Sequence, residues 1–199
     1  MKRRFPALLA CLLTVLLPLS VCTAATGEDA RVRQCTGLYF DTNSHLSGDA
    51  CLLDGHSFFA DPGQVRGHSF GIWRNFRFFK GFYYQPELAY LLYNGEDERR
   101  ITALSITPVQ IQLGLHLGWV RPFVCGGGSL NIALNARNEA GTAISLGSLP
   151  DRSNFGYFYG GGLDILSFCQ VNFRLKHWLA DTPGAEGLTE RSIGVAFFF

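Results

Sequence analysis

What most limits this chain is a recurring alternation of polar and apolar residues, in segments long enough to cross a membrane as tilted strands. It is plainest at 168–178, where Gln170, Asn172, Arg174 and Lys176 fall on one face and Cys169, Val171, Phe173 and Leu175 on the other. A period of two belongs to a strand, because successive side chains point to opposite faces. Residues 155–166 repeat it, with Tyr157, Tyr159, Leu163 and Ile165 alternating with Gly156, Phe158, Gly160, Gly162 and Asp164. The same reading places strands near 33–42, 67–79, 82–94, 100–113, 118–130, 155–166, 168–178 and 190–199. Tight connections fall at Lys80-Gly81, around Gly114 to Leu117 and at Ser167; longer ones fall at 43–66, 95–98, 131–154 and 179–189. Short turns at one end, longer loops at the other and strands of about ten residues are the pattern of a transmembrane barrel.

The rest of the chain agrees with an exported β protein. Lys2, Arg3 and Arg4 precede an apolar run from Leu8 to Leu17, and small residues follow Pro18. This predicts a signal peptide over 1–25, cleaved after Ala24 or Ala25, and a single domain over 26–199. A lipidated Cys22 is disfavoured by Val21 before it. Losing the leader removes three basic residues, so the formal charge falls from +1 to −2. No concentrated basic face for nucleic acid is left. Seventeen Phe, seven Tyr and 23 Gly against one Met favour strands and tight turns over helices. No segment after residue 25 reaches the ~18 apolar residues of a spanning helix.

Alternation alone does not say which face is inside. A soluble ligand-binding barrel turns its apolar face inward, and a membrane barrel turns it to lipid. Arg and Lys along a strand of spanning length suit a hydrated lumen. The C-terminus favours the membrane barrel and leaves the soluble periplasmic ligand-binding barrel as the alternative: Ile193, Val195, Phe197 and Phe199 share one face, opposite Ser192, Gly194 and Ala196. An aromatic end to an amphipathic strand resembles the terminal signal read by the barrel-assembly machinery. The expected fold is all-β: an up-and-down antiparallel transmembrane barrel of about eight strands in the outer membrane, with lipid and that machinery as partners. A periplasmic or surface protein is a further possible partner.

Residues 82–130 carry a family resemblance. The elements are Gln85-Pro86-Glu87-Leu88, then Thr107-Pro108, then Arg121-Pro122-Phe123 with Gly126-Gly127-Gly128; "YGGGLDI" at 159–165 adds a fourth. Together they resemble the PorT-like family of outer-membrane β-barrel domains. The resemblance implies an eight-stranded barrel and no single activity, since some members assist protein secretion. The first strand, with Cys35 and the Cys51 loop, departs from the family pattern.

A bore of eight strands is filled by side chains, so a diffusion pore is not expected. Parity sends Arg77, Gln85, Glu87, Arg121, Asp164, Arg174 and Lys176 into the lumen. A structural charge network of Arg77, Glu87, Arg121, Asp164 and Arg174 is expected, because an unpaired buried charge is costly. Histidines 45, 56, 68, 116 and 177 show no metal-ligand spacing. His45 and His56 lie in a loop with Ser44, Ser47 and Ser57, the only hint of a lipid-modifying enzyme. Such catalysis needs base and nucleophile within hydrogen-bond reach. The glycines of 126–128 lack the Lys-Ser/Thr of a phosphate loop. No cofactor, metal or catalytic activity is expected. Among Cys35, Cys51, Cys125 and Cys169, the strand map separates Cys125 (lumen) from Cys169 (lipid) and Cys35 from Cys51 by more than the ~6 Å a disulfide allows. The expected role is that of a non-enzymatic structural or interaction component.

Overall fold

The computed structural model describes residues 34–47, 65–95, 98–149, 152–166, 168–179 and 188–199. The signal-peptide expectation, Cys51, His56 and Ser57 lie outside them, as does the side chain of His45. Nine strands are present: β1 (Gln34–Ser47), β2 (Arg66–Phe79), β3 (Phe82–Tyr84), β4 (Glu87–Asn94), β5 (Arg100–Gly114), β6 (Val120–Arg137), β7 (Ser153–Ile165), β8 (Cys169–Trp178) and β9 (Leu188–Phe198). All pair antiparallel with their neighbours, and β1 pairs with both β2 and β9. The sheet therefore closes on itself and leaves no free edge.

The strands β3 and β4 act as one stave, so the barrel has eight. They are interrupted at Gln85-Pro86, where proline has no N–H for the ladder. The ladder is carried over the break by Gln85 N–H donating to the Gln110 carbonyl at 2.8 Å and Arg74 N–H donating to the Pro86 carbonyl at 3.2 Å. Across from it, the β5–β6 register shifts between Ile106 and Val109. That bulge changes the parity of β5, so that Gln110 and Gln112 face inward while Val109 and Ile111 face out.

Two expected boundaries need correction. The fifth stave, β6, does not end at 130 but continues to Arg137, which shortens the expected 131–154 loop to 138–152. The alternation persists there, with Asn131 and Ala133 buried and Leu134 exposed. Likewise β1 extends to Ser47 rather than 42, because its ladder with β9 runs on through Ser44 and resumes at Ser47.

The polarity of the barrel is the reverse of a soluble protein's. Leu38, Ile72, Leu88, Val124, Phe173 and Phe197 are exposed on the outside, whereas Asp41, Gln85, Gln110, Gln170, Glu190 and Ser192 are wholly buried within. This overturns the soluble ligand-binding alternative, since such an apolar belt faces lipid. Aromatic side chains flank the belt: Phe78, Phe79, Phe82, Trp119, Phe168 and Phe199 at the end of the short turns, and Phe40, Phe70, Tyr90, Tyr157 and Tyr159 toward the loops. Rings of this kind mark the two membrane interfaces. No described helix is long and apolar enough to cross a membrane; the strands do so.

Large inward rings fit because glycine stands opposite them. A Cβ at Gly156 would run into the Trp178 ring, and one at Gly37 into the Trp73 ring. Both indoles are about 1–2 % exposed and fill the bore. Gly156→Val and Gly37→Val should each cost about 1–3 kcal/mol by overpacking. The check is a lower urea midpoint for the heat-modifiable folded band of the detergent-purified protein.

Candidate functional site

Among the described residues, the lumen gathers buried ionisable side chains from several staves, and it is layered. Nearest the short turns, Arg121 (β6) donates from Nε and Nη2 to Asp164 Oδ2 (β7) at 2.6 and 2.5 Å. Its Nη2 also donates to Gln112 Oε1 at 2.8 Å, and Gln170 Nε2 donates to Asp164 Oδ1 at 2.7 Å. The guanidinium carbon stands 4.1 Å from the Tyr83 ring centre, a cation–π contact in a partly desolvated site. Beneath it is a cavity of about 60 Å³ lined in part by Cys35, Asn75, Tyr83, His116 and Trp119. That is room for a few waters.

Midway up, Arg174 (β8) reaches across the bore to Glu87 (β4), with Nη1 at 3.1 and 2.9 Å from the two carboxylate oxygens. These staves lie on opposite walls, four apart in a ring of eight. The Tyr39 hydroxyl donates to Glu87 Oε1 at 2.5 Å. Toward the loops, Lys176 Nζ lies 3.4 Å from Glu190 Oε1. The other Glu190 oxygen accepts from the Tyr93 hydroxyl at 2.7 Å and from Trp178 Nε1 at 3.1 Å. Above that the bore turns apolar, filled by Leu91, Ile101, Ala103, Ala133 and Ala136. Leu146 packs onto this plug from the 138–149 loop, whose Ile144 N–H donates to the Ala136 carbonyl at 2.9 Å.

The expected five-residue network is thus two separate pairs. Arg121 is with Asp164 and Arg174 is with Glu87, on different levels. Arg77 is half-buried at the turn end and has no ion pair among the described residues. A third pair joins Lys176 to Glu190, a residue that parity along 190–196 would have sent inward. Asp41 was equally accessible to that reasoning. It is fully buried, and neither of its carboxylate oxygens has a hydrogen-bond partner among the described residues. The residues that complete the pairs, Tyr39 and Tyr93, carry no sequence signal, because their partners are 48 and 97 positions away.

The other candidates fall elsewhere. Ile193, Val195, Phe197 and Phe199 are exposed on the lipid side of the last stave. Cys125 faces the lumen and Cys169 shares the outward parity of Val171 and Phe173. Gly126 to Gly128 lie within β6 and open no helix. His68 stacks on Phe40 and His177 on Tyr157, both outside the barrel. No cluster of metal-binding side chains occurs among the described residues.

No protein-family model and no curated protein matches the sequence. Solved structures do. The outer-membrane enzyme PagL aligns over 80% of this chain and 97% of its own at 13% identity and TM-score 0.55. The Neisserial surface protein NspA covers 83% and 97% at 13% identity with the same TM-score. Ail, the attachment invasion locus protein of Yersinia pestis, covers 84% and 99% at 14% identity and TM-score 0.50. At such identity the likeness is one of fold: a small outer-membrane β-barrel, reached by this chain with different residues.

Two predictions separate paired from unpaired charges. Glu87→Gln removes the carboxylate in ion-pair contact with the buried Arg174 guanidinium and should cost about 3–5 kcal/mol. Asp41→Asn removes a buried charge that has no hydrogen-bond partner among the described residues and should leave the urea midpoint unchanged or raise it. Equal losses in the two variants would contradict the pairing. A third concerns pH. Burial, then the neighbouring Arg121 guanidinium, hold His116 below its ordinary value of 6.5. As the pH falls below 6.5 the unfolded chain binds the proton that the folded imidazole resists, so stability should decline. In His116→Gln that part of the decline between pH 7.5 and 5 should vanish from the urea midpoints.

Proposed function

We propose that this protein works as a non-enzymatic outer-membrane scaffold, an occluded barrel whose interactions are made by its rims. The observation that carries this reading is the filled bore. Three ion pairs, two buried indoles and an apolar plug occupy successive levels between the turns and the loops. A solute crossing it would have to break a buried ion pair at each charged level, at several kcal/mol apiece.

The outer rim supports an interaction role. Asn138 holds the 138–149 loop in a tight turn, its Oδ1 accepting from Ala140 N–H at 3.1 Å and Thr142 N–H at 2.9 Å. That loop leaves Ile144 and Leu149 exposed. A loop held this way offers a preformed surface, which lowers the ordering cost of docking a partner. In the PorT-like reading, that partner belongs to protein secretion across the outer membrane. The terminal strand, with Phe197 and Phe199, serves assembly.

In planar bilayers the reconstituted protein should give no stepwise conductance. In intact cells a photo-cross-linking residue at Thr142 should yield discrete adducts, and replacing residues 139–147 with a short glycine-serine turn should abolish them while sparing the heat-shifted band. Stable open channels in the wild-type protein, or no adduct from either rim (Thr142 outside, Trp119 at the turn end), would defeat the reading.

A further inference from the structure

Three arginines stand side by side on the outside of the barrel at its loop end. Arg66 (β2) is the register partner of Asn94 (β4), Asn94 of Arg100 (β5), and Arg100 of Arg137 (β6). Neighbouring strands are ~4.8 Å apart, so the row spans an arc of about 14 Å. All three arginines are exposed. Arg66 and Arg100 share the outward parity of Phe70 and Leu104, and Arg137 lies three residues beyond the exposed Leu134. The row therefore sits one step beyond the apolar belt, at the depth of the outer leaflet's headgroups.

This arrangement is unfavourable by itself. Like charges directly opposite each other on paired strands repel, and Arg100 faces Arg137. The described residues supply no relief. Arg100 Nε donates to Asn94 Oδ1 at 2.8 Å, a neutral partner. Glu139, on the same rim, is taken by Arg99. No described carboxylate is in ion-pair contact with Arg66, Arg100 or Arg137. The lumen shows the opposite habit, each of its buried cations being matched to a carboxylate.

We infer that this row is a binding site for the phosphate groups of the phosphorylated glycolipid of the outer leaflet. A guanidinium offers a planar fork that holds phosphate bidentately, and three along an arc can engage more than one phosphate of a single headgroup. Charge complementarity selects an anion, the depth selects a lipid headgroup, and the apolar strip below, with Phe70, Tyr90 and Leu104, accommodates its acyl chains. The Asn94 amide fixes the middle arginine so that less side-chain freedom is lost on binding.

The test uses the full folded protein in phosphatidylethanolamine nanodiscs, titrated with bisphosphorylated lipid A and read by native mass spectrometry. One comparison arm replaces it with lipid A stripped of both phosphates, and another with phosphatidylglycerol at equal charge. The wild-type protein should bind the phosphorylated glycolipid at least about tenfold more tightly than either, since each basic residue near an anionic surface contributes about a fivefold effect. Arg100→Gln/Arg137→Gln should lose about tenfold or more of that affinity while giving the same heat-shifted band. Should the double variant fold poorly, Arg66→Gln alone should lose about fivefold. Wild-type affinity in these folded variants, or equal binding of the phosphate-free lipid, would overturn the site. Equal binding of phosphatidylglycerol would overturn the glycolipid assignment.

Discussion

The Glu87–Arg174 pair holds together what the ladder alone cannot. Backbone hydrogen bonds fix each stave to its neighbours, but nothing in a ladder fixes one wall of a barrel to the opposite wall. Glu87 on β4 and Arg174 on β8 do so, meeting over the bore with both side chains fully desolvated. Tyr39 adds a third wall by donating to the same carboxylate. Buried ion pairs are weak evidence of net stability, because desolvating two charges is costly. Their worth here lies in specificity: a register slip of one residue in either stave would turn one of these charges out into lipid.

That requirement also explains why the bore is closed. Eight staves leave an interior just wide enough for side chains. Once charged groups are placed inside it, each needs a partner, and the partners occupy the remaining space. Glycines such as Gly156 and Gly37 then become necessary, because the indoles of Trp178 and Trp73 lie against them. Interaction is thereby displaced to the rims and to the outer wall. The capped mouth at 138–149 and the arginine row at the outer interface are the surfaces where charge and shape remain available.

The period of two, the turn at Lys80-Gly81 and the inward parity of Arg77, Glu87, Arg121, Asp164 and Arg174 were legible in the residues, because each depends only on near neighbours in the chain. Other features were less so. The continuation of β6 to Arg137 was missed because the expected loop began at Asn131, a polar residue whose amide the lumen accepts. The bulge at Pro108, which turns Gln110 and Gln112 inward, depends on pairing with a stave that is itself interrupted at Pro86. No local pattern reveals such a match between two strands.

By itself the sequence determined an inside-out polar barrel. Arginine and lysine alternate with aromatics over spans of membrane length, and only a hydrated or internally paired lumen accepts them on one face with lipid on the other. It did not determine which charges meet. Glu87 and Arg174 are 87 residues apart, Tyr93 and Glu190 are 97 apart, and Asp41 meets no hydrogen-bond partner among the described residues. Those outcomes follow from the order of the staves around the ring and their relative heights. Closure sets both, because the stagger accumulated over all eight staves decides which residues share a level.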